Sequence, residues 1–299
     1  MQITANQTPN IVADMEQSQT ALNTALQQLA TGRDVNVPSD NPTASAAMVQ
    51  NSIETGNVDQ YTKNISTVLA SVESASSVLS NVVTSLTQAV SLGTEAANGT
   101  NTTANLQAIA TQIQGVLSTV VSQANTSVAG AYLFAGSGTS TPYTANASSP
   151  TGYMYNGNTD QTSVAVGDTL SVQVNLPGSQ IFSASSNGVL GSLSSLVTAL
   201  QTGNTSGVEA ATNSLSSAIA LVGKQQAFYS NAESQLNSQE TFLQQDTVSL
   251  ASQATSLVGV DTATAATNLS QAETENSAVL AATAKVLPNT LLSYLSPPS

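Results

Sequence analysis

The chain of 299 residues contains no cysteine, no histidine and no tryptophan, and its only cations are Arg33, Lys63, Lys224 and Lys285, against 17 acidic residues. Each shortage removes a class of chemistry. Without thiols or imidazoles there is no cysteine or histidine catalysis, and the commonest metal ligands are missing. A net charge of −13 with four scattered cations excludes binding to nucleic acid, which needs clustered cations to displace counterions. It excludes an anionic membrane surface on the same ground. No apolar run approaches the roughly 20 residues that a membrane helix needs. Carboxylates offer no substitute site: Glu273 and Glu275 stand two residues apart and point to different helix faces, with no nucleophile beside them. The expectation is a protein that is not an enzyme, with no cofactor and no catalytic or metal-binding residue. The N-terminal stretch MQITANQTPN has neither a basic nor an apolar signal region, so export without a cleaved signal peptide is expected.

What is present is periodicity. Hydrophobic residues make up 40% of the chain, and between Tyr61 and Gly93 they recur with spacings of 4 and 3. Tyr61, Ile65, Val68, Val72, Ala75, Leu79, Val82, Leu86, Ala89 and Gly93 form a heptad seam with small residues interspersed, which predicts a rod of about 50 Å. A second seam (Leu106, Ile109, Ile113, Val116, Val120) follows a short Gly/Asn/Thr loop and predicts an antiparallel neighbour. A helix over 190–222 is expected to break at Gly203–Gly207. Downstream, Tyr229, Leu236, Leu243, Leu250 and Leu257 repeat every seven residues. An overlapping series from Ala251 through Val258, Ala265, Ala272, Val279 and Val286 predicts one continuing rod whose stripe drifts.

The ends carry thinner stripes: Ile11, Met15, Leu22, Leu26 and Leu29, preceded by Ile3, at one terminus, and Leu280, Leu287, Leu291, Leu292, Tyr294 and Leu295 at the other. A lone helix with so little apolar area does not repay its nucleation cost, so each end needs a partner, the other terminus or another subunit. Between 29 and 45 the helical pattern stops in LATGRDVNVPSDNPTAS. Gly32 suits a left-handed helix end, Asn41–Pro42 reads as N-cap and first helical residue, and Pro38 keeps the loop extended. Asp40 is placed to favour the positive end of the new helix, and Arg33 is expected to tether to a carboxylate such as Asp34 or Asp40, or to one across an interface. In 136–182, Gly- and Pro-rich turns and the alternating SVAVGDTLSVQV predict a small β insertion. Val166 should oppose Leu170, and Val164 should oppose Val172, around a three-residue loop.

The motifs MQITANQ, LATGRDVNVPSDNPTAS, DQYTKNI, ANTSVAGAYLFAG and the ending LLSYL, in this order, resemble the flagellin superfamily, and within it the hook-associated protein 3 family of hook–filament junctions. PSDNP favours that branch over filament flagellin, whose loop usually lacks this Pro-x-x-x-Pro frame. The resemblance implies a mainly α, elongated, flagellin-like bundle of long heptad-rich helices with a β-rich insertion and paired terminal helices. The expected domains are a terminal core domain from 1–45 and 265–299, a rod domain from 46–135 and 186–264, and an outer insertion domain from 136–185. The resemblance also implies an inter-domain elbow at Gly32, Arg33, Pro38, Asp40, Asn41 and Pro42. Implied partners are further copies of the chain, another hook-associated junction protein on the hook side, flagellin on the filament side and an export chaperone. The implied location is the extracellular bacterial flagellum, reached by type III export. Two other readings stand beside it: a filament flagellin, or an adhesive module acting through the tyrosine-rich YMYNG segment. On the adhesive reading, deleting residues 140–182 leaves assembly intact.

Overall fold

The structure, a computed structural model, describes residues 7–182 and 188–295, with side chains over 12–182 and 188–285. In chain order it contains α1 (Gln7–Thr31), α2 (Pro42–Ala96) and α3 (Thr103–Ala124). Six short strands follow: β1 (Ser127–Val128), β2 (Ala131–Tyr132), β3 (Tyr143–Ala145), β4 (Tyr153–Tyr155), β5 (Ser163–Ala165) and β6 (Ser171–Gln173). Then come a one-turn helix α4 (Gly178–Ile181), α5 (Val189–Thr202), α6 (Thr205–Val258) and α7 (Thr262–Leu295). The described residues form two compact units, 58–244 and a terminal unit of 1–57 with 245–299.

In the 58–244 unit most of the heptad seam is buried, with Tyr61, Val68 and Leu106 half-buried. Ile65, Val72, Ala75, Leu79, Val82, Leu86 and Ala89 are all buried, as are Ile109, Ile113, Val116 and Val120 on α3. The small residues set the spacing: a Cβ on Gly93 would collide with Thr212 Oγ1 and touch Leu196 Cδ2 at 3.4 Å, so only glycine lets α2 approach α5 and α6 there. The break after α5 falls at Gly203, whose φ of +66° is the left-handed helix end that glycine adopts without strain. Each buried Leu or Ile of this core contributes roughly 1.5–3 kcal/mol relative to exposure.

The insertion is three separate antiparallel hairpins rather than one sheet. The first begins at Ser127, before the composition changes, and turns through Ala129 (φ 51°) and Gly130 (φ 85°), two consecutive residues at positive φ as a tight hairpin turn requires. In the third hairpin Val164 pairs with Val172, and the Val166 N–H donates to the Leu170 carbonyl at 2.9 Å, the register expected from the sequence. Val166 and Val172 are buried, but Leu170, at the turn, is exposed.

Residues 140–182 contribute side chains to the core of the 58–244 unit. Phe134, Tyr143, Phe182 and, on α6, Tyr229 are at most 2% exposed and meet edge to face, with Phe134–Phe182 centroids 5.2 Å apart and Phe134–Tyr229 centroids 6.5 Å apart. Such contacts add about 0.5–1.5 kcal/mol each beyond area burial. Their polar ends are satisfied: the Tyr143 hydroxyl donates to the Gly178 carbonyl at 2.8 Å, and Tyr229 Oη accepts the Leu176 N–H at 3.0 Å. The Asn125 side-chain amide exchanges two 2.8 Å hydrogen bonds with the Tyr143 backbone, joining the end of α3 to β3. Burial pushes the phenols of Tyr143 and Tyr229 well above their ordinary value. The YMYNG segment is partly exposed, with Tyr153, Tyr155 and Gly157 half-buried and Met154 and Asn156 exposed. Tyr155 stacks on Tyr143 at 5.1 Å and shares its hydroxyl proton between the carbonyls of Phe134 and Asn158, leaving Met154 as the exposed large side chain there.

Candidate functional site

The terminal unit is built from α1 packed on α7, with the first part of α2 and the last part of α6. The loop after α1 forms as its residues dictate. Gly32 has φ +67°, and its N–H donates to the Gln28 carbonyl, closing the helix. Asn41 caps α2, its side-chain oxygen accepting the Ala44 N–H at 3.0 Å, with Pro42 as first helical residue. Asp40 is used differently from the expectation: its carboxylate braces the loop, accepting the N–H groups of Asn36 and Val37 at 3.0 Å each.

Arg33 makes neither of the two expected contacts within the chain, to Asp34 or Asp40; a carboxylate across an interface is the expectation that stays open. Its guanidinium is exposed and forms no ion pair among the described residues; the contribution comes from its backbone. Arg33 forms an antiparallel bridge with Gly259. The Asp34 N–H donates to the Val258 carbonyl at 2.7 Å, and the Val260 N–H donates to the Gly32 carbonyl at 3.0 Å. The partner of this bridge is a break that the periodicity did not indicate. The downstream rod is two helices, α6 ending at Val258 and α7 starting at Thr262, capped by Asp261 through the Ala263 N–H (3.2 Å) and the Thr264 hydroxyl (3.0 Å). The apolar series passes straight across this break through Val258 and Ala265, both buried, which hid it. The loop and the break are thus tied together by backbone hydrogen bonds. A further cross-link lies between α2 and α6, where buried Asn51 donates to the Leu250 carbonyl at 3.0 Å.

The α1–α7 seam differs from the stripe read off the sequence. The residues of α1 turned inward are Met15, Ser18, Leu22 and Ala25; those of α7 are Ala265, Leu269, Ala272, Asn276 and Val279. Small and polar residues bring the two helices close, and among the largest apolar side chains Leu26, Leu29 and Leu280 are left 46%, 38% and 50% exposed. Val12, Val37, Val49, Ile53 and Val248 in the same unit are exposed too. Helical spacing puts Val12, Leu26 and Leu280 on one side of the α1–α7 pair. On the opposite side lies a shallow groove lined by Gln17, Ala21, Thr24, Asn268, Gln271 and Glu275. Ile3, and the side chains of Ile11, Leu287, Leu291, Leu292, Tyr294 and Leu295, lie outside the described residues.

No three acidic side chains gather into a metal site among the described residues, and no described helix is long and apolar enough to cross a membrane. Models of the bacterial flagellin N-terminal and C-terminal helical regions match residues 3–139 and 205–295. The chain belongs to the bacterial flagellin family. No curated protein matches it by sequence.

Solved structures agree on the fold. A flagellar hook-associated protein from Vibrio parahaemolyticus aligns at 20% identity with a TM-score of 0.66, covering 73% of this chain and 99% of that one. FlgL from Bacillus cereus aligns at 22% identity and TM-score 0.59, over 69% and 99%. The flagellar junction protein FlgL from Legionella pneumophila aligns at 16% identity and TM-score 0.60, over 71% and 100%. In this flagellin-family chain, the paired terminal helices and the bridged loop are the parts whose apolar surface is left open.

Proposed function

We propose that this chain is the subunit of a junction between flagellar hook and filament, assembling by packing of its terminal unit against neighbouring subunits. The observation that carries the reading is the composition of the α1–α7 seam: its buried positions are Ser18, Ala25, Ala265, Ala272 and Asn276, while eight Val, Leu and Ile side chains of the unit are exposed. A helix pair so arranged is stabilised by whatever covers its outer faces. Its two sides differ, apolar side chains on one and a mostly polar groove on the other. Copies joined back to front through unlike faces propagate into a ring or helical layer, whereas a two-fold dimer pairs like with like. Terminal helices (1–45 with 265–299) would form the core layer of the joint, the 46–135 and 186–264 helices the layer outside it, and Gly32–Pro42 the elbow between them. Neighbours on the two ends would be another hook-associated protein and flagellin. Export before assembly would use the type III route with a chaperone shielding the open faces.

Support for the junction over a filament role comes from the names of two chains that align along almost their whole length, a flagellar hook-associated protein and a flagellar junction protein. The deciding experiment is deletion of the gene. The junction reading expects cells with hooks, no attached filament, and flagellin released into the medium. A filament role would instead make this chain the abundant subunit of purified filaments, and that finding would replace the proposal. An adhesive role through YMYNG would have to act through Tyr153 and Met154, because the Tyr155 hydroxyl is already bonded to the Phe134 and Asn158 carbonyls.

A further inference from the structure

The β5–β6 hairpin does not project from the 58–244 unit; it folds back along the helices. Its base is near Tyr229, which accepts the Leu176 N–H. Its tip reaches residues well beyond that level. The Tyr61 hydroxyl donates to Asp168 Oδ1 at 3.0 Å, and the Asn64 side-chain N–H donates to the Ala165 carbonyl at 2.9 Å. A Cβ on Gly167 would touch Gln239 Nε2 at 3.5 Å. Along α6, Tyr229 and Gln239 are ten residues apart, about 15 Å.

The helices that could cover this stretch lie elsewhere. α5 meets α2 at Gly93, through Leu196, and α3 ends at Asn125, which is bonded to Tyr143 in the aromatic core. Yet Ile65 and Leu236 are fully inaccessible, and so is Val166 of the hairpin. The terminal unit provides the comparison: in the α1–α7 seam, Met15, Leu22, Leu269 and Val279 stay half-buried. Two helices leave one side of a seam to water, so complete burial of Ile65 and Leu236 requires a third layer.

We propose that the β5–β6 hairpin is that layer, a strap closed over the α2–α6 seam and fastened at Tyr61 and Asn64, with Val166 as its inserted side chain. The insertion is then part of the rod. The length of the hairpin is constrained by the reach from Tyr229 to Gln239, and its sequence is constrained at Val166, Asp168 and the backbone of Ala165, while Leu170 is free to vary.

The test is hydrogen exchange on the full chain, comparing Val166→Ala, the double variant Tyr61→Phe with Asn64→Ala, and the control Leu170→Ala. The strap predicts exchange roughly tenfold faster within 58–72 and 229–243 for Val166→Ala. It predicts a smaller acceleration in the same two segments for the double variant and no change for Leu170→Ala. Unchanged exchange in Val166→Ala overturns the proposal. So does an acceleration that extends equally to Leu79–Leu86, which would make Val166 an ordinary member of a single core, or an equal effect of Leu170→Ala.

Discussion

The two units of this chain use the same helical grammar to opposite ends. In the 58–244 unit the heptad positions hold Val, Leu and Ile, mostly buried, and among the described residues only Met154, Leu170 and Phe242 are large apolar side chains left exposed. In the terminal unit, the inward positions of α1 and α7 hold mostly Ala, Ser and Asn, and eight Val, Leu and Ile side chains face outward. The first arrangement is complete within one molecule. The second leaves apolar surface open, as the proposed assembly requires. The difference teaches that hydrophobicity alone does not say which face of a helix is internal. Closeness of approach decides, and small residues win the inside when the large ones have another destination.

The sharpest way to break this comparison is to truncate the same residue type in each unit. Leu79→Ala should cost the monomer about 2–5 kcal/mol, read from denaturant unfolding of the full chain. An equal cost for Leu26→Ala would abolish the distinction. Next in size is an alkaline effect confined to the 58–244 unit. The phenols of Tyr143 and Tyr229 are raised in the fold above their ordinary value near 10. Stability from this source is therefore fully present below pH 10 and is lost as pH rises further, because the unfolded chain ionises first. Loss of aromatic near-ultraviolet ellipticity above pH 10, before loss of the α1 and α7 helix signal, is the expected order. Gly32→Val should cost about 1–2 kcal/mol through its positive φ, and should loosen only the terminal unit. Leu26→Ala is the smallest effect on the monomer, within about 0.5 kcal/mol, yet it should weaken assembly in sedimentation. That assembly should change little between low and moderate salt, since the seams carry few charges.

Much of the fold was legible where one local rule decides. The seam from Tyr61 to Gly93, the Gly203 break, the Asn41–Pro42 cap and the pairing of Val164 with Val172 each follow from spacing or from one residue's backbone preference. The elements that escaped are non-local. The Gly259–Asp261 break is concealed by an apolar series that continues through it, and its partner is Arg33, far away in the sequence. Arg33 drew attention as a scarce cation, yet its backbone is what the structure uses. At the terminal unit the sequence pointed, for Leu26, Leu29 and Leu280, to residues with open surface. The inward set of Ser18, Ala25, Ala272 and Asn276 carries too little hydrophobicity to stand out before the helices are paired.

The most direct measurement is residue-resolved hydrogen exchange of the free full-length monomer and of the assembled protein. The account predicts weak protection in α1 and α7 of the monomer, strong protection in α2 and α6 over 72–93 and 208–236, and a gain on assembly confined to the terminal unit. Protection of α1 and α7 in the monomer equal to that of the Leu79–Leu86 seam would contradict it.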